Sequence, residues 1–176
     1  MKTNDWLKKI IVFISLLFIL FIGHRYIGWP VSVKGDSMSP TLMNEQRLFV
    51  LKKQTLHHFD IVMFPSPEDE KQIYVKRIIG LPGDTIRYEK DQLYINNKKV
   101  SEPFLKQYKE ELADDRLFTE DVATLKVPSH QYFVLGDNRR ISKDSRSIGF
   151  ISDKEVTGKV QGVFWPLDQV QWLKNR

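Results

Sequence analysis

Three short segments of the sequence carry residue types that could perform acyl transfer. The first runs from Gly35 to Leu42 (GDSMSPTL) and holds Ser37 between a glycine and a proline, which favour a tight turn. A nucleophilic serine needs such a turn, because backbone N–H groups must lie near the oxyanion that forms when its hydroxyl attacks a carbonyl. Small polar residues around proline also fill ordinary turns, so an ordinary structural role for this segment stays open.

The second segment, from Tyr74 to Asp84 (YVKRIIGLPGD), is typical of a strand followed by a turn. Alternation along a strand places Lys76 on one face and Arg77 on the other. A lysine with the usual pKa of about 10.4 is neutral in only about one molecule in 10³ at pH 7, so a lysine base must be desolvated. An aromatic and a β-branched residue flank Lys76 on its face, which favours desolvation, and a solvated strand face is the alternative.

The third segment, from Gly136 to Arg146 (GDNRRISKDSR), is a dense polar stretch that follows the apolar run Tyr132–Leu135. Loops at strand ends often hold functional groups on a rigid scaffold. The sequence therefore predicts a functional loop at a strand end, with a solvated turn as the alternative.

The N-terminal part predicts a membrane anchor. Residues 10–22 are apolar except for Ser15, and extending the run to Trp29 gives twenty residues, or about 30 Å of helix, the thickness of a hydrocarbon core. The small residues of a signal-peptide cleavage site are missing at the usable positions, which favours an uncleaved anchor over a cleaved leader. A buried core helix is the other alternative. Three lysines precede the run, so the positive-inside rule predicts a cytoplasmic N-terminus and an extracytoplasmic remainder.

Charge and composition narrow the function classes. The 176 residues include 27 Lys and Arg against 22 Asp and Glu, a net charge of +5, and no cysteine. The lack of cysteine excludes disulfides, thiolate metal sites and a thiol nucleophile. Residues 1–29 carry +3 of the net charge and the rest only +2, which argues against nucleic-acid binding. The sequence contains no nucleotide loop and no metal-ligand cluster, so no cofactor and no metal is expected.

After Pro30 the pattern changes to short alternating runs separated by turn residues, which predicts a mainly β domain over residues 30–176, preceded by a cytoplasmic N-terminus and anchor over residues 1–29. The charge-rich stretch Pro103–Leu125 shows no alternation and predicts a short surface helix and a mobile loop. The predicted strands are Val31–Lys34, Leu48–Leu51, Ile61–Phe64, Ile73–Ile79, Thr85–Tyr88, Leu93–Ile95, Tyr132–Leu135 and Val160–Trp165.

Taken in this order behind an N-terminal anchor, the three segments resemble the bacterial type I signal peptidases, membrane serine endopeptidases that remove signal peptides from exported proteins. The resemblance covers nearly the whole chain and is strongest to the Gram-positive-type members with one span. It implies a single-pass protein of the cell membrane, with one transmembrane helix followed by a compact antiparallel β-sheet catalytic domain outside the cytoplasm. It also implies signal-peptide-bearing preproteins and membrane lipid as partners, and cleavage after small residues.

The resemblance assigns roles to individual residues. It makes Ser37 the nucleophile and Lys76 the general base. It implies that Ser142 hydrogen-bonds and orients the lysine, and that Asp144 is held by an ion pair to Arg77. Arg146 would support the same network.

Two further expectations concern the substrate. Longer relatives have a serine where this chain has Gly35, so the second oxyanion donor would be a backbone N–H of Gly35 or Ser37, or a water. The peptide is expected to bind as an extended strand in an apolar groove with two shallow pockets. The residues expected to line this groove are Val33, Met38, Ile73 and Tyr74.

Three alternatives remain at this stage. One is a Ser-His-Asp hydrolase that uses His57, His58 or His130, although none of these lies in a recognisable motif. Another is an anchored, non-catalytic or weakly active paralogue that binds exported proteins. The last is a self-cleaving repressor-type peptidase, which shares the Ser-Lys chemistry but has a DNA-binding domain where this chain has its apolar run.

Overall fold

A computed structural model gives the structure of residues 3–26, 30–52, 55–111 and 117–173. Its first element is helix α1 (Thr3–Tyr26), a 24-residue helix that contains the apolar run. Among these described residues, no helix is both long and apolar enough to cross a membrane. The predicted span continues to Trp29, and residues 27–29 lie outside the described part, so the anchor and the domain boundary stay predictions.

Two antiparallel sheets follow. Within the described residues, the larger sheet has eight strands in the order β1-β2-β11-β3-β4-β9-β10, with β12 paired to β11, and the smaller has the order β7-β6-β5-β8. The strands are β1 (Val31–Ser32), β2 (Arg47–Leu51), β3 (Ile61–Pro65), β4 (Ile73–Gly80), β5 (Thr85–Glu89), β6 (Gln92–Ile95), β7 (Lys98–Val100), β8 (Val122–Lys126), β9 (Gln131–Leu135), β10 (Ile151–Ser152), β11 (Gly158–Trp165) and β12 (Gln171–Trp172). The short helices are α2 (Lys106–Glu111) and α3 (Ser145–Ile148), with 3-10 turns at Pro103–Leu105 and Leu167–Gln169.

The predicted mainly β, antiparallel architecture is confirmed, and two turns show why the strands end where they do. Asn96 and Asn97 adopt φ values of 51° and 62°, which suit the tight turn between β6 and β7. Gly83 has a φ of 89°, and the Asp84 N–H donates to the carbonyl of Leu81 at 3.0 Å, which closes the turn between β4 and β5. Local turn chemistry therefore sets the β6–β7 hairpin of the small sheet and the turn by which the chain passes from the large sheet to the small one.

The stretch Pro103–Leu125 differs from the prediction. Helix α2 forms as expected, but strand β8 starts at Val122 and pairs with β5 instead of lying in a mobile loop. Strand β8 ends the strand order of the small sheet and keeps most of its side chains exposed or half-exposed, so it shows none of the alternation that marks a half-buried strand. Its partner strand, which sequence periodicity cannot reveal, supplies the reason for its extended conformation.

Strand β4 lies near the centre of the large sheet and is covered on both faces. Ile79 packs with the cluster that joins the two sheets, and Ile78 packs with the cluster on the opposite face. Full burial of each such side chain contributes about 1.5–3 kcal/mol relative to exposure. The alternative of a solvated strand face is therefore wrong, since Lys76 and Arg77 are only 3% and 5% exposed.

Candidate active site

Ser37 lies in a turn that the core holds in place. Gly35 has a φ of 83°, a left-handed conformation that a residue with a side chain rarely adopts. Beyond Ser37, the N–H of Leu42 donates to the carbonyl of Met38 at 2.9 Å, and both of these side chains are buried in the core. The half-buried Ser37 thus lies in a turn that is anchored by apolar side chains packed in the core.

Lys76 approaches Ser37 from the middle of β4. Its Nζ lies 2.6 Å from the Ser37 Oγ, which is hydrogen-bond distance. Burial lowers the pKa of Lys76 from 10.5 to about 8, against the opposing influence of the Asp144 and Asp137 carboxylates. With a pKa near 8, about one lysine in ten is neutral at pH 7, roughly a hundred times more than for an exposed lysine. The pair therefore has the geometry and the basicity of a nucleophile with its general base.

Arg77, next to the base, is paired with a different carboxylate from the one expected. Its guanidinium donates to both carboxylate oxygens of Asp137, at 2.8 and 2.5 Å, and not to Asp144. The register explains this outcome, because Arg77 lies opposite Leu135 in the β4–β9 pair and Asp137 follows two residues later. The expected Arg77–Asp144 ion pair is therefore wrong.

Asp144 instead pairs with Arg146. The Arg146 guanidinium donates to the two oxygens of Asp144 at 2.8 and 2.9 Å and to the carbonyl of Arg139 at 2.6 Å. Asp144 also caps α3 and accepts from the N–H of Gly136 at 3.0 Å. The Arg146 network is thus separate from the Arg77 pair, and it closes the loop from Gly136 onto itself.

Ser142 does not make the expected hydrogen bond to Lys76. Its Oγ is buried and has no hydrogen-bond partner in the described part of the chain. The hydroxyl packs against Gly136, where an added Cβ would lie 2.2 Å from the Ser142 Oγ and 2.4 Å from the Ser37 carbonyl oxygen. Gly136 is therefore a site residue in its own right, although the sequence indicated it only as the first residue of the third segment. Its position directly after an apolar strand was the available signal.

The backbone donors near Ser37 are not equivalent. The N–H of Gly35, one of the three oxyanion donors left open by the sequence, already donates to the side-chain oxygen of Asn44 at 2.9 Å. The N–H of Ser37 makes no hydrogen bond to any residue that the structure describes. Of the two backbone donors considered, only the Ser37 N–H is available to a negatively charged oxygen.

A cleft of about 240 Å³ lies beside the pair. Residues 73–75 of β4 border it and pair with β3 along one edge, while the β4–β9 pairing begins at Arg77. The described strands therefore leave the other edge of residues 73–75 unpaired. All four predicted groove residues line this cleft together with Ser37 and Lys76. Further lining residues that were not predicted for the groove are Lys34, Asp36, Val75, Ile141 and Lys143.

The three histidines considered above pair elsewhere in the molecule. His58 contacts Asp84 at 2.7 Å, His130 contacts Asp153 at 2.9 Å, and His57 lies 3.7 Å from Asp60. Since the Ser37 Oγ is bonded to Lys76, the Ser-His-Asp alternative has no support in this geometry. Within the described residues, no three His, Asp or Glu side chains converge into a metal site.

Comparison with known proteins adds to the geometry. A family model described as signal peptidase, peptidase S26, matches residues 3–165. Signal peptidase I P of Bacillus subtilis subsp. natto is 42% identical over 98% of this chain and 96% of that protein, and signal peptidase IB of Staphylococcus aureus (strain MRSA252) is 38% identical over 97% and 94%. A crystal structure of a signal peptidase I from Enterococcus faecalis V583 is 41% identical, covers 60% of this chain and 97% of its own, and superposes with a TM-score of 0.57.

Proposed function

The chain belongs to the signal peptidase family, peptidase S26, and we propose how its individual residues carry out the reaction. It is a serine endopeptidase of the signal peptidase I type, which acts on preproteins that bear signal peptides. The residue assignment rests on one observation, the 2.6 Å contact between the Lys76 Nζ and the Ser37 Oγ. A non-catalytic paralogue is not favoured, because both groups are present and in contact.

In the proposed mechanism, neutral Lys76 takes the proton of the Ser37 hydroxyl as the Oγ attacks the carbonyl carbon of the scissile peptide bond. The Ser37 N–H donates to the oxyanion of the tetrahedral intermediate. The Lys76 ammonium then gives its proton to the leaving amine of the mature protein, which leaves the signal peptide as an ester on Ser37. Lys76 next takes a proton from a water that attacks the carbonyl carbon of this ester. As the ester bond breaks, Lys76 returns the proton to the Ser37 Oγ, and the signal peptide departs with a new carboxyl group.

The surrounding ion pairs are proposed to hold this geometry. Arg77, bonded to Asp137, fixes the strand position next to the base, and its guanidinium also donates to the carbonyl of Phe59 at 2.9 Å. Arg146 and Asp144 close the loop that packs on Ser37. Both carboxylates are buried, so each ion pair is shielded from water, and its charge-assisted hydrogen bonds are stronger than those of an exposed pair.

The substrate is proposed to bind as an extended strand along the unpaired edge of Ile73–Val75. Main-chain hydrogen bonds to this edge would provide affinity for any sequence, and the cleft would select side chains. The cleft is small, about 240 Å³, and Val33 and Met38 line it as buried apolar side chains. Such a space suits the small residues that precede the cleavage site.

The pH dependence of cleavage tests the role of Lys76. Because only neutral Lys76 accepts the Ser37 proton, and because its pKa is lowered to about 8, the rate is expected to rise as the pH increases through 8. Initial rates on a synthetic signal-peptide substrate, measured from pH 6 to 10, should increase about tenfold per pH unit below the midpoint and level off above it. A rate that falls between pH 7 and 9 would contradict a lysine base.

A membrane location is proposed for the N-terminal helix. The described apolar side chains of α1 are mostly exposed, and the hydroxyl of Ser15 donates to the carbonyl of Val12 at 2.8 Å, so this polar group is satisfied within the helix. Eight apolar residues of the run are each 50–70% exposed: Ile11, Val12, Phe13, Ile14, Leu16, Leu17, Phe18 and Phe21. Exposure of this kind is costly in water and favourable in lipid.

A second apolar surface supports contact with lipid. The hairpin between β11 and β12 exposes Trp165, Leu167, Val170 and Trp172 by 46–74%. Tryptophan is enriched at the membrane–water interface, because its ring is apolar and its N–H can still reach water. Placed near the bilayer, this hairpin would bring the cleft close to substrates that are themselves held in the membrane.

The proposed topology predicts an asymmetric labelling pattern. Because the chain has no cysteine, single cysteines can be introduced without background, for example Thr3→Cys before the span and Glu70→Cys on an exposed turn. In intact cells, a membrane-impermeant maleimide is expected to label Glu70→Cys and to leave Thr3→Cys unlabelled until the membrane is opened. The cysteine-free chain is the control. Recovery of the protein in the soluble fraction, or the reverse labelling pattern, would contradict the topology.

A further inference from the structure

The segment from Glu102 to Tyr108, which leads from β7 into α2, packs on the loop that carries the site. We propose that this segment positions the loop from Gly136 to Arg146, and that Glu102 is its main positioning residue. The proposal rests on the proposed function of Ser37 and Lys76, and it adds a residue outside the three motifs to the machinery that supports them.

The first contact joins Glu102 to Arg139. Both side chains are almost fully buried, with exposed fractions of 4% and 0%, and the Arg139 guanidinium donates to the Glu102 carboxylate. Arg139 also donates to the Tyr88 hydroxyl at 2.9 Å and to the Thr119 hydroxyl at 3.0 Å, both on the small-sheet side of the molecule. Since a buried cation needs an anionic partner, Glu102 holds Arg139 in this position.

Arg139 connects Glu102 to Ser37 through Gly136. Its Nε donates to the carbonyl of Gly136 at 3.0 Å. Gly136 in turn is packed tightly against the carbonyl of Ser37, as its lack of room for a Cβ demonstrates. The path from Glu102 to Ser37 through these contacts therefore has two intermediate residues, Arg139 and Gly136, and both are buried.

Two more side chains of the segment make parallel contacts. The ring of Phe104 lies 3.9 Å from the Arg77 guanidinium carbon, and the hydroxyl of Tyr108 is 3.2 Å from the side-chain oxygen of Asn138. The N–H of Asn138 donates to the Ser37 carbonyl at 3.1 Å. One short segment thus contacts Arg77, Asn138 and Arg139, which all lie next to residues of the site.

These contacts predict an effect on catalysis more than on binding. None of the segment's residues lines the substrate cleft, so the KM for a peptide should change little. A shift of the loop would change the distance between Ser37 and Lys76 and admit water around the lysine. Weaker desolvation raises the pKa of a lysine, so the midpoint of the pH–rate profile would move upward.

The test compares Glu102→Ala and Glu102→Gln with wild type in kcat, KM and pH–rate midpoint. We expect kcat to fall on the order of 10²-fold for Glu102→Ala and about tenfold for Glu102→Gln, with KM within about twofold. The glutamine oxygen can still accept from Tyr88 and Arg139, but the negative charge is lost. The midpoint should rise in both variants. A residue that only stabilises the fold would change the folded fraction, monitored by circular dichroism, and leave the kcat of folded enzyme and the midpoint unchanged.

Lys109→Gln is the matched control. It removes an ion pair to Asp91, 3.1 Å away, from the same region without touching the loop, and wild-type kcat and midpoint are expected. The proposal is overturned if folded Glu102→Ala has the wild-type kcat and pH–rate midpoint. If Glu102→Ala does not fold, the proposal is overturned when folded Glu102→Gln has the wild-type kcat and midpoint. Ser37→Ala in the same assay distinguishes a failure of the Ser37–Lys76 mechanism from a failure of the positioning role of Glu102. If Ser37→Ala cleaves normally, the proposed mechanism is wrong. If only the Glu102 variants behave like wild type, only the positioning role is wrong.

Discussion

Replacing Lys76 with methionine is expected to reduce preprotein cleavage by at least about 10⁴-fold and, at the same time, to stabilise the fold. The loss of activity follows because methionine keeps the length of the buried stem but cannot accept a proton from Ser37. Cleavage of a signal-peptide substrate by the purified variant measures this effect.

The gain in stability follows from the lowered pKa. The folded chain releases the Lys76 proton near pH 8, whereas the unfolded chain keeps it up to about 10.5, so the buried ammonium costs roughly 3 kcal/mol of stability at pH values below 8. This cost decreases as the pH rises from 8 to 10.5, because the unfolded state then binds the extra proton. The advantage of Lys76→Met should therefore be largest below pH 8 and vanish near pH 10.5, as measured by urea unfolding across this range.

Two variants separate the chemical and the structural parts of this prediction. Ser37→Ala should lose activity to a similar extent while it keeps the stability cost of Lys76. Lys76→Arg should also be inactive, because a guanidinium does not lose its proton in a protein. A Lys76→Met enzyme that cleaves at more than about a tenth of the wild-type rate would rule out the proposed base.

Gly136→Ala, a change outside the Ser37–Lys76 pair, is expected to reduce activity by about 10²-fold or more. The added methyl carbon would lie 2.2 Å from the Ser142 Oγ and 2.4 Å from the Ser37 carbonyl oxygen, distances that no structure tolerates. Ser142 cannot relieve the clash with the Ser37 carbonyl, so the chain at Gly136 or at Ser37 must shift, and we expect this to disturb the 2.6 Å contact between Ser37 and Lys76. Overpacking of this kind also costs about 1–3 kcal/mol of stability, so kcat and the unfolding free energy should fall together.

Gly83→Ala is the matched control for this change. Gly83 has a φ of 89° and no atom within 4 Å of an added Cβ, so its substitution introduces backbone strain without a clash. It should lose about 1 kcal/mol of stability and keep the wild-type kcat. If Gly136→Ala retains wild-type kcat in the same assay, the close packing of Gly136 on Ser37 has no catalytic importance.

Much of the fold was predictable because its elements follow from local chemistry. Short apolar or alternating runs bounded by turn residues predicted strands such as Ile61–Phe64 and Ile73–Ile79 to within one residue of their observed ends. The paired asparagines at 96 and 97 are a local signal of the tight β6–β7 turn, since asparagine tolerates positive φ. Strand β8 was missed because an exposed strand at the end of a sheet leaves no periodic pattern and depends on its partner.

The amino-acid sequence by itself determined the types and order of the groups at the site, including Ser37 and Lys76, because the residue types of a motif and their spacing are read directly from the chain. Only the tertiary structure decided which groups meet. Arg77 pairs with Asp137, and the N–H of Gly35 is already taken by Asn44. Glu102, for which the sequence predicted no role, joins the support of the site from just before the stretch Pro103–Leu125. The physical reason is that burial, strand register and long-range pairing depend on how distant segments pack, and a sequence pattern records only the preferences of neighbours along the chain.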